Sequence, residues 1–300
     1  MALAPCTGTV DRFGQELVEH GSAVFPIACY YNDMTQGDVP WHWHQELEMC
    51  IVAQGTAVVT VGQHQYTVPA GQGLFINSGV LHDAYGLEGT ACRLHAFVFH
   101  PRLVGGASDS IFYQKYLRPL IEDSTLECCC LHPDVPWQKE ILTAIESIWQ
   151  ICVQEQPGYE FRVRNGLSEI IWTLSTHCTA LPRVSRSKSL RDSERIKLML
   201  SFIHEHYGSE ITTGQIAASA AISESECLRC FRSAIGSTPI RYLKHYRVRQ
   251  AASQLLSSDD RISEIAVRCG FQDISYFSKS FREEKGCTPS QFRTSSKSQP

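Results

Sequence analysis

The 300-residue sequence predicts a multidomain protein: an all-β, barrel-like N-terminal part followed by helices, then an all-α C-terminal domain with two helix-turn-helix motifs. Three observations point there. Short β-rich runs recur between glycine-containing turns from about residue 22 to residue 101. Beyond that point apolar residues recur at the helical spacings of three and four. The segment IAASAAISESECLRCFRSAIGSTP, from Ile216, also returns as IAVRCGFQDISYFSKSFREEKGCTP, from Ile265.

The β-rich runs are MCIVAQG, TAVVTVGQ, HQYTVPAGQG, LFINSG and RLHAFVF, and their even spacing suits an antiparallel barrel or sandwich. Next, QKEILTAIESIWQICV sets Ile141, Ile145, Ile148 and Cys152 on one face of a helix over 138–153, and a second helix follows over 160–176. The stretch LPRVSRSKSLRDSER, from Leu181, is basic, serine-rich and weakly apolar, the composition of a linker. Ile196, Leu200, Ile203 and Tyr207 then mark the first helix of the rear domain. The expected organisation is a sensing domain over 1–107, a helical dimerisation segment over 108–180, a linker over 181–192, a tandem helix-turn-helix domain over 193–295 and a tail over 296–300.

Composition narrows the function classes. Hydrophobic residues at 43% and charged residues at 19% exclude extensive disorder. No apolar run approaches the ~18 residues of a membrane span, and the N-terminus lacks the charged and apolar regions of a signal peptide, so a cytoplasmic chain with no membrane partner is expected. The net charge of −4 divides into −11 over residues 1–180 and +7 over 181–300, so only the rear suits a polyanion. Thirteen cysteines, an odd number without an export signal, read as reduced thiols. Cys227 and Cys230 form a CxxC inside a helical pattern with no second pair, which reads as buried helix thiols rather than zinc. The consecutive Cys128, Cys129 and Cys130 read as inert thiols, and no nucleophile–base motif or phosphate-binding glycine loop appears, so no enzyme is expected.

Each repeat copy has the grammar of a helix-turn-helix. Ala217 and Ala266 allow two helices to cross closely, and Ala221 and Gly270 stand where the chain must turn. Ile222 and Phe271 plug the turns. Ser223 with Glu226 forms a capping box, Asp273 caps the equivalent helix, and Gly236 and Gly286 end both. A connecting helix over 241–256, with Val248, Ala251, Ala252 and Leu255 on one face, spans ~24 Å. With the width of each motif added, that suits recognition helices in successive major-groove segments ~34 Å apart.

The segments IAVRCGFQDISYFSKSFREEKGCTPSQFR and YLKHYRVRQAASQLL resemble the AraC/XylS family of bacterial transcription regulators over about the last hundred residues. The resemblance implies sequence-specific binding to promoter DNA, most often as an activator working with RNA polymerase, and a homodimer formed through the helices after the barrel. Carried onto this sequence, it implies that Ser225, Leu228 and Arg229 of the first motif, and Ser275, Ser278 and Lys279 of the second, face the bases. Arg232, Arg241, Lys244 and Arg282 suit phosphates. Arg229 is expected to make a bidentate contact to guanine.

The stretch GDVPWHWHQELEMCIVAQG, from Gly37, resembles the first cupin motif, and VPAGQGLFINSGVLHDA, from Val68, the second. Residues two apart on a strand share a face, so His42, His44 and Glu48 can point into a barrel together. The second motif normally supplies a further histidine; Leu74 stands there, with His82 nearby as a substitute. Three readings of this cluster stay open. A small polar effector, most simply a monosaccharide, would meet His42, His44, Glu48, His82 and His95, with Trp43 or Trp41 stacked on its face. A metal would use His42, His44 and Glu48. A structural barrel would bind nothing. The organic effector is the reading adopted, with no cofactor and no resident metal. The rivals are a metal-dependent cupin enzyme fused to a DNA-binding module and a regulator whose cupin is purely structural.

Overall fold

The computed structural model describes residues 20–178 and 187–297, apart from 36, 63, 88–90 and 124. Two compact units part between Arg191 and Asp192. The first is built on β1 (Ile27–Asp33), β2 (Val39–His42), β3 (Leu47–Gln54), β4 (Thr56–Val61), β5 (His64–Pro69), β6 (Gly73–Ile76), β7 (His82–Gly86), β8 (Arg93–Phe99) and β9 (Cys128–Leu131). They form two antiparallel sheets, one of five strands in the order β1-β8-β3-β6-β9 and one of four in the order β2-β7-β4-β5.

The five-stranded sheet is buried on both faces, which explains why RLHAFVF reads as a near-continuous apolar run. Alternation along β8 turns Leu94, Ala96 and Val98 toward the second sheet, into a core with Val52, Val59, Leu74 and Ile76. Phe97 and Phe99 point the other way, into a core shared with α3 (Pro136–Gln154) and α4 (Tyr159–Cys178) through Ile145, Ile148, Leu167 and Ile171. The two helices fall within two residues of the expected bounds. Before them come short helical turns, α1 (Arg102–Gly105), a π-turn over Tyr113–Leu117 and α2 (Arg118–Ile121).

Sequence and structure differ in two places here. β9, CCCL, is a strand not expected within the helical segment over 108–180, and it pairs with β6. Helix α5 runs over Ser187–His206, so the second half of the expected linker has helical backbone, while residues 181–186 lie outside the described part.

In the second unit α5 buries Ile196, Leu200 and Ile203. The first motif is α6 (Thr213–Ser219) and α7 (Glu224–Ile235), and the second is α9 (Ile262–Arg268) and α10 (Ile274–Lys285). The connector α8 (Pro239–Ser257) lies between them and α11 (Pro289–Lys297) follows. Val248, Ala251, Ala252 and Leu255 of α8 pack against Ile265, Phe271, Phe277 and Phe281. The turns are left-handed at Ala221, φ 54°, and Gly270, φ 79°. Ser223 accepts from the Glu226 backbone N–H, and Asp273 accepts from those of Ser275 and Tyr276.

Candidate functional site

Two groups of side chains stand out, one in each unit. In the first, strand pairing sets His42 at the end of β2 directly opposite His82 in β7, their rings 4.1 Å apart. Glu48 enters from β3, in the other sheet, and His44 from the connection between β2 and β3. One donor atom from each of His42, His44, Glu48 and His82 lies within 4.8 Å of all the others. The three histidines are buried, and the Glu48 side chain is 14% exposed. Its carboxylate meets His44 Nε2 at 3.2 Å and His82 Nε2 at 2.9 Å. Burial pushes the Glu48 carboxyl up, but the hydrogen bonds and charge of His44 and His82 outweigh it and hold the group well below the usual carboxylate range.

His82, near the end of the second motif stretch, therefore joins the cluster. The carboxylate and three imidazoles have the donor chemistry of a transition-metal site, so the residues fit an ion even with Leu74 in the motif position. Beside Glu48 the barrel holds a cavity of about 30 Å³, lined also by Tyr30, Asn32, His42 and His82. That is the room of roughly one water molecule.

Two expected effector residues are not part of this cluster. His95 sits on the opposite face of β8, stacked on Trp149 at 3.8 Å with its Nδ1 2.9 Å from Glu146 of α3. The period of two along β8 gives His95 the face of Phe97 and Phe99, against the helices, rather than that of Leu94 and Ala96. Trp43 is half-buried, and neither it nor Trp41 lines the cavity. His20, which the sequence reading passed over, stands 5.3 Å from His44 and bonds the Tyr30 hydroxyl. A lone histidine ahead of the first strand carries no motif that would flag it.

The second group lies on the helix-turn-helix motifs. On α10, Ser275, Lys279 and Arg282 are exposed and Ser278 half-buried, while Phe277 and Phe281 anchor the helix from its other side. Ile274 and Tyr276, also exposed at 49% and 54%, extend this surface and were not foreseen. On α7, Ser225 and Arg232 are exposed and Leu228 and Arg229 half-buried.

Arg229 departs from expectation. Its Nη2 donates to Asp192 Oδ2 at 2.9 Å and Glu226 Oε1 at 2.8 Å, and its Nε to Glu226 Oε2 at 3.0 Å. Arg195 Nη1 joins at 3.2 Å from Glu226. Glu226 first, then Asp192, holds the Arg229 guanidinium above its usual range. The fork expected on guanine is spent on carboxylates. Cys230 lies beside Asp192, but the two arginines already neutralise this acidic pair, which argues against an ion there. Lys244 pairs with Glu283 at 3.2 Å, tying α8 to α10, and Arg241 is exposed. Burial raises the thiols of Cys128, to about 11, and Cys130, while a hydrogen bond with Cys178, and then burial, raises that of Cys129; none of the three is activated.

Comparison with known proteins bears on both units. The profile of the AraC-like ligand binding domain matches residues 24–165, and that of a helix-turn-helix domain matches 216–295. The HTH-type transcriptional regulator YdeC of Bacillus subtilis (strain 168) is 31% identical over 287 residues, 95% of this chain and 97% of its own length. The HTH-type transcriptional activator RhaS of Klebsiella pneumoniae (strain 342) is 26% identical over 266 residues, 87% of this chain and 89% of its own. A solved structure of apo ToxT from Vibrio cholerae strain SCE256 resembles the chain at 11% identity and a TM-score of 0.48, over 92% of this chain and 99% of that one. The chain belongs to the AraC family of DNA-binding transcription regulators, carries a ligand-binding domain ahead of its helix-turn-helix domain, and is not an enzyme.

Proposed function

We propose that the chain is a cytoplasmic, homodimeric transcription activator that reads promoter DNA chiefly through α10, under the control of a small polar effector at the His42–His44–Glu48–His82 cluster. The observation that carries the reading is the contrast between the two recognition helices. α10 presents Ser275, Ser278, Lys279 and Arg282 from a capped helix, whereas Arg229 of α7 is engaged by Asp192 and Glu226. Lys279 and the serines suit base edges, and Arg282, Arg232 and Arg241 suit phosphates. Ser225 and Leu228 leave the first motif a positioning role.

Activation, and with it a contact to RNA polymerase, is supported by relatives named as activators. Dimerisation is supported by an exposed apolar set in the first unit, Ile111, Phe112, Phe161 and Trp172. Phe161 and Trp172 lie eleven residues apart on α4, three helical turns, and so share a face. No helix among the described residues is long and apolar enough to cross a membrane, which suits a chain that meets DNA in the cytoplasm.

A monosaccharide effector would find hydroxyl partners in the cluster. The present cavity of about 30 Å³ would have to open for it, and Trp41 and Trp43 would have to turn inward to stack.

The test is sequence-selective binding by the full chain. Duplexes selected from a random pool should bind ~10³-fold or more tighter than scrambled ones at physiological salt. Lys279→Ala should weaken the selected duplex by about 1–3 kcal/mol and spare the scrambled one, whereas Arg282→Ala should weaken both and reduce the salt slope by about 1. Equal affinity for selected and scrambled duplexes contradicts the proposal.

A further inference from the structure

Ile274 is the first residue of α10, directly after the capping Asp273, and it is 49% exposed. A single exposed apolar side chain needs no explanation, but this one stands inside a polar surface. Ile274, Ser278 and Arg282 follow one another at intervals of four residues and form one row along α10, beside the row of Ser275 and Lys279. All five line one concave stretch of surface together with Glu283, whose charge Lys244 offsets at 3.2 Å. Phe277 and Phe281 face the other way, into the core. Tyr276 leads the row of the buried Ser280 and stands at the edge of the surface.

Local helix energetics do not account for isoleucine at this position. The first turn of a helix favours acidic side chains, and a β-branched residue has a lower helix propensity than alanine. The first motif follows that rule: α7, a helix of 12 residues like α10, opens on Glu224. An exposed position that departs from its local preference is where a functional contact is expected.

A recognition helix presents its N-terminal residues to base edges. From Ile274 through Ser278 to Arg282 the row runs from apolar to hydroxyl to cation, the order that suits a helix passing from the floor of a major groove to the phosphates. The one sizeable apolar group on that floor is the C5-methyl of thymine. Guanine, adenine and cytosine offer acceptors or amino groups there, which against Ile274 would lose water without gaining a partner. Thymine is thereby accepted by contact, and the other bases are rejected by desolvation.

We propose that Ile274 is a specificity-determining residue of α10, selecting thymine through its C5-methyl group. The inference rests on the reading of DNA by α10 given above and names the base chemistry of its leading turn. Lys279, five residues further on, lies ~7.5 Å along the helix axis, about two base-pair steps of ~3.4 Å. The guanine that suits Lys279 therefore belongs within about two or three base pairs of that thymine.

In the test, the full chain selects duplexes from a random pool, and each thymine of the selected site is replaced in turn by deoxyuridine. That removes the methyl group and leaves the base pair. One replacement should weaken binding by the wild type about fourfold, the worth of one buried methyl group. Ile274→Ala should weaken the unmodified duplex by at least that factor and be indifferent to the same replacement, as a coupled pair requires in a double-mutant cycle. Ile274→Gln, put through the selection afresh, should exchange thymine for adenine at that position. Leu256→Ala, which truncates an exposed side chain of α8, should behave as the wild type throughout. Circular dichroism reports whether each variant is folded. The inference is overturned if no deoxyuridine replacement weakens the wild type, or if the replacement that does so weakens Ile274→Ala equally. It is also overturned if Ile274→Ala loses nothing, or loses affinity equally for selected and scrambled duplexes. Each of these results leaves the regulator reading standing, whereas equal binding of both duplexes by the wild type overturns that reading and this inference with it.

Discussion

Arg229 is held by Glu226 from its own helix and by Asp192, thirty-seven residues earlier in the chain, and it shares both carboxylates with Arg195. An arginine on the exposed side of a recognition helix reads in sequence as a base contact, because nothing local names a distant partner. The fold supplies Asp192 from α5, and the side chain becomes a tie between α5 and α7. Residues that share one ion-pair network do not lose stability additively. Asp192→Ala and Arg229→Ala should each lower the melting temperature of the chain, and the double variant should fall by less than the two losses together. Additive losses would show that the pair is not coupled. His82 is the opposite case: it lies in the second motif stretch and reads as a substitute for the histidine that Leu74 replaces, and the pairing of β2 with β7 sets it opposite His42.

The helix-turn-helix elements were legible because their signals are local: the 3.6-residue period, a capping serine or aspartate, and a glycine at each helix end. Both left-handed turns stand where the repeat put them. Gly270 is the stricter of the two, since a Cβ there would lie 2.4 Å from the Tyr207 carbonyl and 2.8 Å from the Arg247 guanidinium. Gly270→Ala should therefore cost more than about 1 kcal/mol, and Ala221→Gly less than that, when both are followed by denaturant unfolding. Similar losses at the two turns would contradict this ranking. What stayed hidden depends on non-local pairing. β9 is four residues of CCCL, too short to show alternation, and becomes a strand only because β6 offers an edge. Arg93 and His95 share one face of β8 and read as its polar phase, yet that face is covered in turn, with His95 beside Phe97 and Phe99 against the helices. The start of α5 lies within a serine-rich basic stretch whose composition resembles a linker while its backbone is helical.

For the molecule as a whole, an acidic β-rich unit holding a four-donor cluster precedes a basic helical unit that presents Lys279 and Arg282 from α10. Regulation requires the free energies of the two to be linked, and linkage is reciprocal: whatever factor the effector imposes on DNA affinity, DNA must impose on effector affinity. A passive barrel fused to a DNA-binding domain would show no such reciprocity. The decisive measurement is the affinity of the full chain for a duplex selected from a random pool and for its scrambled counterpart, for the wild type and for Lys279→Ala, at physiological salt. The account predicts a selected duplex bound ~10³-fold or more tighter than the scrambled one, with Lys279→Ala losing about 1–3 kcal/mol on the selected duplex alone. Equal affinity for the two duplexes, or an equal loss on both in the variant, would contradict it.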